Sequence, residues 1–428
     1  MRSSAAYTPN WSQILVQRER LRYWLGYAIL ILLLLSLIDG LMPQAEMALF
    51  SGHVLIPTVA VKWFMMAIMI LGVFIRSKLV VPRKVLYAWT VLVFYLLFEA
   101  MFFALNKEYS LNYIVYSLEA TLYFLLVLPL LYAFKDVLEE SKITTMISWL
   151  FAPLVFLGIW QGATNHPILP IMSADHYFQV FSWDFYGRVR AFSLFSSASN
   201  FGHFLALVSA MCVAALSQWR GYKKTLATTG LILSLVATYM TLTRATYVEV
   251  LLAVTTAGLI TFFKWRDIRL SLLWGLYAAI GLFVAFGSHL ILAGLTGGNQ
   301  LLANESLLMR YEEWAHYGGL WINHDIATML FGTGLMQSSR FAITRDVVID
   351  NVWLSLLFQF GLVGFIIVLA FLWQLWKILV NGLKSHPQSI LTIGVVSACS
   401  TFPFTSIFGI TTLGYLLLFV VWLISKKT

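Results

Sequence analysis

Two adjacent residues, Asp350 and Asn351, head the apolar stretch "IDNVWLSLLFQFGLVG", which continues through "FIIVLAFLWQLW" to Lys377. A carboxylate at such a mouth can take a proton from a hydroxyl as a general base. The amide beside it can orient that carboxylate or bind a sugar hydroxyl. The same two residue types are favoured helix N-caps, and a carboxylate there suits the helix dipole. The local residues leave both readings open. The other chemical resource is cationic. Arg190 opens "AFSLFSSASNFGHF", Arg244 lies in "TLTRATYVEV" between two apolar runs, and Arg310 begins "RYEEWAHYGG". An arginine at membrane depth is costly without a partner. It either snorkels to headgroups or binds an anion, and its planar fork matches phosphate with two parallel hydrogen bonds. Arg244 is flanked by Thr241, Thr243 and Thr246, a polar patch at the junction of two runs. Several such arginines on one side point to an anionic headgroup ligand, a lipid phosphate or diphosphate.

Other polar residues are less telling. Glu99, Glu119 and Glu249 lie within apolar runs. Each is either a proton relay or, more simply, a buried hydrogen bond between helices. His203 reads as a helix-packing histidine, and His316 and His324 are reserve candidates for a base. The stretches "QVFSWDFYG" and "EEWAHYGGLWINHD", the second containing Trp314, suit an aromatic interfacial belt. They also suit sugar, whose apolar face stacks on rings while carboxylates and amides bind its hydroxyls. No histidine, cysteine or carboxylate group has zinc-ligand spacing. No nucleotide-binding loop or nucleophile-elbow pattern stands in a suitable context. Neither a metal nor a cofactor is expected.

The elements that must position these residues are membrane helices. Of the 428 residues, 60% are hydrophobic and 11% charged, with a mean hydropathy of +0.82. A soluble protein carries about 25% charged residues. The apolar runs do not alternate as barrel strands do. A span needs about 20 residues, which places helices near 21–40, 54–75, 85–105, 111–134, 143–160, 192–217, 225–243, 245–263, 270–292 and 347–376. The tail from Ser389 to Ser425 adds two short ones around Pro403, about twelve in all, in one transmembrane domain over 1–428. The first run reads as an uncleaved span rather than a signal peptide. Cys212 and Cys399 read as small packing residues.

The net charge of +9 does not signal nucleic acid, because the basic residues sit in short clusters between spans, where they orient the chain. With both termini cytoplasmic, twenty of the 28 lysines and arginines fall on the inner side. Two larger loops, 161–190 and 293–346, then lie outside and form the cap over the site.

Taken in order, four stretches resemble the O-antigen ligase and Wzy-type polysaccharide polymerase family. They are an arginine followed by "AFSLFSSASNFGHFL", then "TLTRATYVEVLLA", "RYEEWAHYGGLWINHDIATMLFGTG" and "DNVWLSLLFQFGLVG", across residues 188–364. The resemblance implies a metal-independent, inverting glycosyltransferase fold of the C type in a bacterial cytoplasmic membrane, with the large outer loop before span ten. It implies an undecaprenyl-diphosphate-linked glycan as donor, membrane lipid around it, and a flippase and a chain-length regulator as partner proteins. It makes Arg190, Arg244 and Arg310 diphosphate ligands and Asp350 the base. Asn351, Asn200 and Trp314 would bind substrate. Ligases acting on lipid A-core typically carry histidine where this chain has Asp350, so the resemblance leans to a polymerase. A ligase is the alternative within the class, and a secondary transporter or lipid flippase the alternative outside it.

Overall fold

The structure is a computed structural model. It describes residues 81–106, 140–166, 184–185, 188–195, 197–266, 268–286, 305–334 and 351–401, with isolated positions at 24, 28, 64, 67, 68, 70, 71, 128, 129 and 132. The spans expected at 21–40, 54–75 and 111–134, and the tail beyond 401, lie outside or almost outside the described residues.

The described chain is a helical membrane protein. Its elements are α1 (Arg83–Asn106), α2 (Glu140–Thr164), a short hairpin β1 (Asp184–Phe185) and β2 (Arg188–Val189), then α3 (Ala198–Gln218), α4 (Tyr222–Met240) and α5 (Arg244–Thr261). They continue with α6 (Ile268–Phe286), α7 (Glu305–Asn323), α8 (Ile326–Phe331), α9 (Val352–Ser385) and α10 (Ile390–Cys399). Among the described residues, four helices are long and apolar enough to cross a membrane: those in α1, α2, α3 and α9. Their outward faces are apolar. On α1 the exposed positions include Tyr87, Val91, Phe94, Phe98 and Met101. On α6, Ile268, Leu272, Leu276, Ile280 and Phe283 form an exposed stripe. Such patches would aggregate in water and are the expected surface against lipid.

The bundle is built around α3. Almost all of this helix is buried, with α4, α5 and α10 packed on it. Lipid tails are as apolar as leucine, so helix association here rests on close packing and interhelical hydrogen bonds rather than on the hydrophobic effect. Gly202 of α3 shows how close: a Cβ there would collide with the Thr246 side chain of α5. Both cysteines are free.

The segment 293–346, expected as a loop, contains two helices, α7 and α8. Asp325 caps α8: its Oδ1 accepts from the Thr328 N–H at 2.9 Å and its Oδ2 from the Thr328 hydroxyl at 2.7 Å. Those bonds hold the exposed Asp325 carboxyl below the usual carboxylate range, the side-chain bond most. The following turn reaches α9 and explains a break in it. At about 1.5 Å per residue, the 34 residues of α9 extend well beyond a bilayer core, and the helix is interrupted at Gly361, with φ 60° and ψ −171°. Thr333 donates to Phe358 O through its N–H (2.6 Å) and its hydroxyl (2.8 Å), and Gly334 N–H donates to Gln359 O at 3.2 Å. The Tyr95 hydroxyl of α1 lies 2.5 Å from Phe360 O and 2.7 Å from Glu99 Oε1. The carbonyls at the break therefore have protein partners. Gly332 and Gly361 face each other so closely that a Cβ on either would collide with the backbone of the other segment.

Candidate functional site

The candidate site forms where the chain turns between α2, α3, α4 and α5. The approach to α3 is pinned residue by residue. Asn165 Oδ1 accepts from Val189 N–H at 2.6 Å. The fully buried Gln161 accepts from the N–H groups of Phe192 (3.0 Å) and Ser193 (2.6 Å) and donates to Ser193 O (3.3 Å). Ser193 has φ 52°, a left-handed conformation uncommon for a non-glycine residue. Its hydroxyl donates to Leu154 O at 2.8 Å. Ala191 N–H donates to Met240 O, the last residue of α4, at 2.9 Å. Arg190 is thus held between two anchored residues, and its side chain is half-buried.

Met240 leads into the turn that delivers Arg244. Leu242 adopts φ 49°. The Thr241 hydroxyl donates to Thr238 O at 2.7 Å, the Thr243 hydroxyl to Thr241 O at 2.9 Å, and Thr243 N–H to Thr241 Oγ1 at 3.3 Å. The threonines read as a polar patch are therefore turn-builders, and Thr246 packs on Gly202. Arg244 stands exposed at the first position of α5. The 191–240 bond brings the Arg190 and Arg244 segments to one end of the bundle. Both α3 and α5 begin at that end, and helix starts favour negative charge.

The same end of α3 is open on one side. From Ala198 to Met211 the helix is buried except at Ser199, Asn200 and His203. Those three fall within roughly 100° of one another at 100° per residue, and all are polar. Ser197 caps the helix by accepting from Asn200 N–H at 3.1 Å. His203 Nδ1 lies 2.5 Å from Glu249 Oε1 on α5, with side chains 10% and 5% exposed. The Thr401 hydroxyl, just beyond α10, sits 3.5 Å from the same oxygen. His203 is thus half of a buried dyad, beyond the packing role read for it. Glu249 makes the interhelical bonds expected of it, whereas Glu99 bonds within its own helix to Tyr95.

The remaining candidates belong to the α7–α9 corner. Arg310 lies on α7, and its side chain is outside the described residues. Trp314, one turn on, packs partly buried against the core and edge-to-face with Tyr311 at 5.4 Å. Its indole N–H is buried and finds no hydrogen-bond partner among the described residues. Tyr317 and His324 make edge contacts with Phe358 of α9, at 5.9 and 6.2 Å. Asn351 is the N-cap of α9, its Oδ1 accepting from Trp353 N–H (3.0 Å) and Leu354 N–H (3.3 Å). The capping role open to Asp350 or Asn351 falls to Asn351. Asp350 itself lies outside the described residues. No family model and no curated protein matches the chain.

Proposed function

We propose that this protein is a membrane glycosyltransferase that polymerises lipid-diphosphate-linked oligosaccharide outside the cytoplasmic membrane. The observation that carries the reading is the polar opening in α3. A core helix exposes only Ser199, Asn200 and His203 over its first four turns, at the end where Arg190 and Arg244 also stand. Polar groups facing lipid are costly, so this face borders a polar cleft. Two guanidinium groups and two helix starts suit a diphosphate there. Arg190 and Arg244, with Arg310 from α7, stabilise the charge that develops on the leaving diphosphate. Asp350 takes or orients the acceptor hydroxyl, with Asn200, Asn351 and Trp314 against sugar. The aspartate at 350 favours a polymerase over a ligase. The arginine end faces outward, as the distribution of basic residues requires.

One observation favours a second reading. The break in α9 has the form of the discontinuous helices found in transporters. Yet the carbonyls at this break are met by Thr333, Gly334 and the Tyr95 hydroxyl, which fits a structural joint better than an ion site. The lipid-linked glycans of a deletion strain decide. Single repeat units should accumulate on the carrier. Full-length carrier-bound polymer indicates a ligase, and unchanged glycans favour the transporter.

A further inference from the structure

We propose that His203 is the proton acceptor of the transfer, with Glu249 behind it as its positioning residue. The inference deepens the glycosyltransferase reading and rests on it. Glu249 is buried and faces His203 Nδ1 at 2.5 Å. A carboxylate in that place holds the proton on Nδ1, leaves the Nε2 lone pair pointing away, and stabilises the imidazolium that forms when Nε2 takes a proton. Thr401 of a third segment lies 3.5 Å from Oε1, while its hydroxyl donates to Ala398 O at 2.7 Å.

Placement gives the dyad its role. The ring of His203 is 10% exposed, on the same open face as Ser199 and Asn200. Asn200 lies one turn above it. A buried histidine needs only one hydrogen-bond partner, but an ionisable carboxylate in that place inside a membrane bundle is expensive unless it serves function. Arg190 and Arg244 also supply the second requirement of the chemistry, a place for the leaving anion at the same end of the bundle.

Nε2 takes the proton of the acceptor hydroxyl as its oxygen bonds to the anomeric carbon from the face opposite the diphosphate. The bond from that carbon to the phosphate oxygen breaks, and its electron pair leaves on the diphosphate. The imidazolium then returns its proton to water. Asp350 is left to orient the hydroxyl.

The test uses the purified full-length protein and an undecaprenyl-diphosphate-linked oligosaccharide. His203→Ala should lower kcat by about 10²–10⁴-fold with KM nearly unchanged, and added imidazole should restore part of the rate. Glu249→Gln should show a smaller kcat loss that imidazole does not repair. Should His203→Ala fail to insert, His203→Gln, which keeps a polar side chain, reads the same loss. Wild-type turnover in either histidine variant overturns the proposal. So does a deficit in a well-folded His203→Ala protein that imidazole leaves untouched, since that marks a packing role. If the wild-type protein transfers no sugar at all, the glycosyltransferase reading fails first, and this inference with it.

Discussion

Two arginines and one pair of acid–base groups carry the residue-scale account. Arg190 is fixed by backbone bonds at Val189 and Ala191, and Arg244 by a three-residue turn whose hydroxyls bond to their own backbone. Rigid placement of this kind is what a preorganised anion site requires. Arg190→Ala and Arg244→Ala should each lower transfer by at least about 10²-fold, the scale of losing one charge-stabilising donor. The lysine variants should recover only part, because lysine keeps the charge and loses the fork. Normal rates from both alanine variants at normal expression would remove the diphosphate from this end. Asp350→Asn separates catalysis from capping. Asn351 already caps α9, so the substitution should leave the protein well folded. A loss of about 10²–10⁴-fold in transfer would make Asp350 a base, whereas a modest loss fits orientation alone and leaves proton transfer to His203.

At the scale of the element, α9 is the informative case. Its opening segment, from Val352 to Phe360, is a separate short helix tied to the 332–334 turn and, through Tyr95, to α1. Gly361→Ala should destabilise the protein by about 1–3 kcal/mol from its positive-φ backbone alone, with ψ near 180°, and the collision against Gly332 adds to this. Tyr95→Phe removes the partner of Phe360 O and should cost about 1–3 kcal/mol. Melting of the purified variants in detergent checks both, and an unchanged midpoint for Gly361→Ala contradicts the joint. None of this joint was legible in the sequence. "FGLVG" reads as part of one apolar run, and its partner glycine lies in a distant turn. The runs themselves were legible, because lipid demands them: 85–105 is observed as 83–106, and 245–263 as 244–261. Hydropathy does not mark α7 and α8, because α7 mixes polar with apolar residues and α8 is only six residues long. The signal present was an aromatic stripe, Trp314, Tyr317 and Trp321, at helical spacing. The dyad was equally hidden. His203 and Glu249 are 46 residues apart, and only the packing of Gly202 on Thr246 brings their helices close enough to bond.

Among the described residues, α3, α4 and α5 alternate in direction, and α3 and α5 both begin at the end that carries Arg190 and Arg244. The turn after α3, at Trp219 to Gly221, and the turn before α5, at Thr241 to Thr243, necessarily lie at opposite ends of α4. The distribution of basic residues puts Gln337 on the side opposite Lys223, so reporter fusions after these two residues should give opposite compartments, the second outside. A cytoplasmic signal from the Gln337 fusion would place the arginine end on the wrong side for a donor displayed outside the membrane. In the proposed reaction this end breaks a sugar–diphosphate bond. The most direct measurement is release of undecaprenyl diphosphate by the purified protein, supplied only with the lipid-linked oligosaccharide and no metal. Release should be matched by a ladder of lengthened glycans, and both should be lost in Arg244→Ala. An intact donor after prolonged incubation with a monodisperse wild-type protein would contradict that reaction.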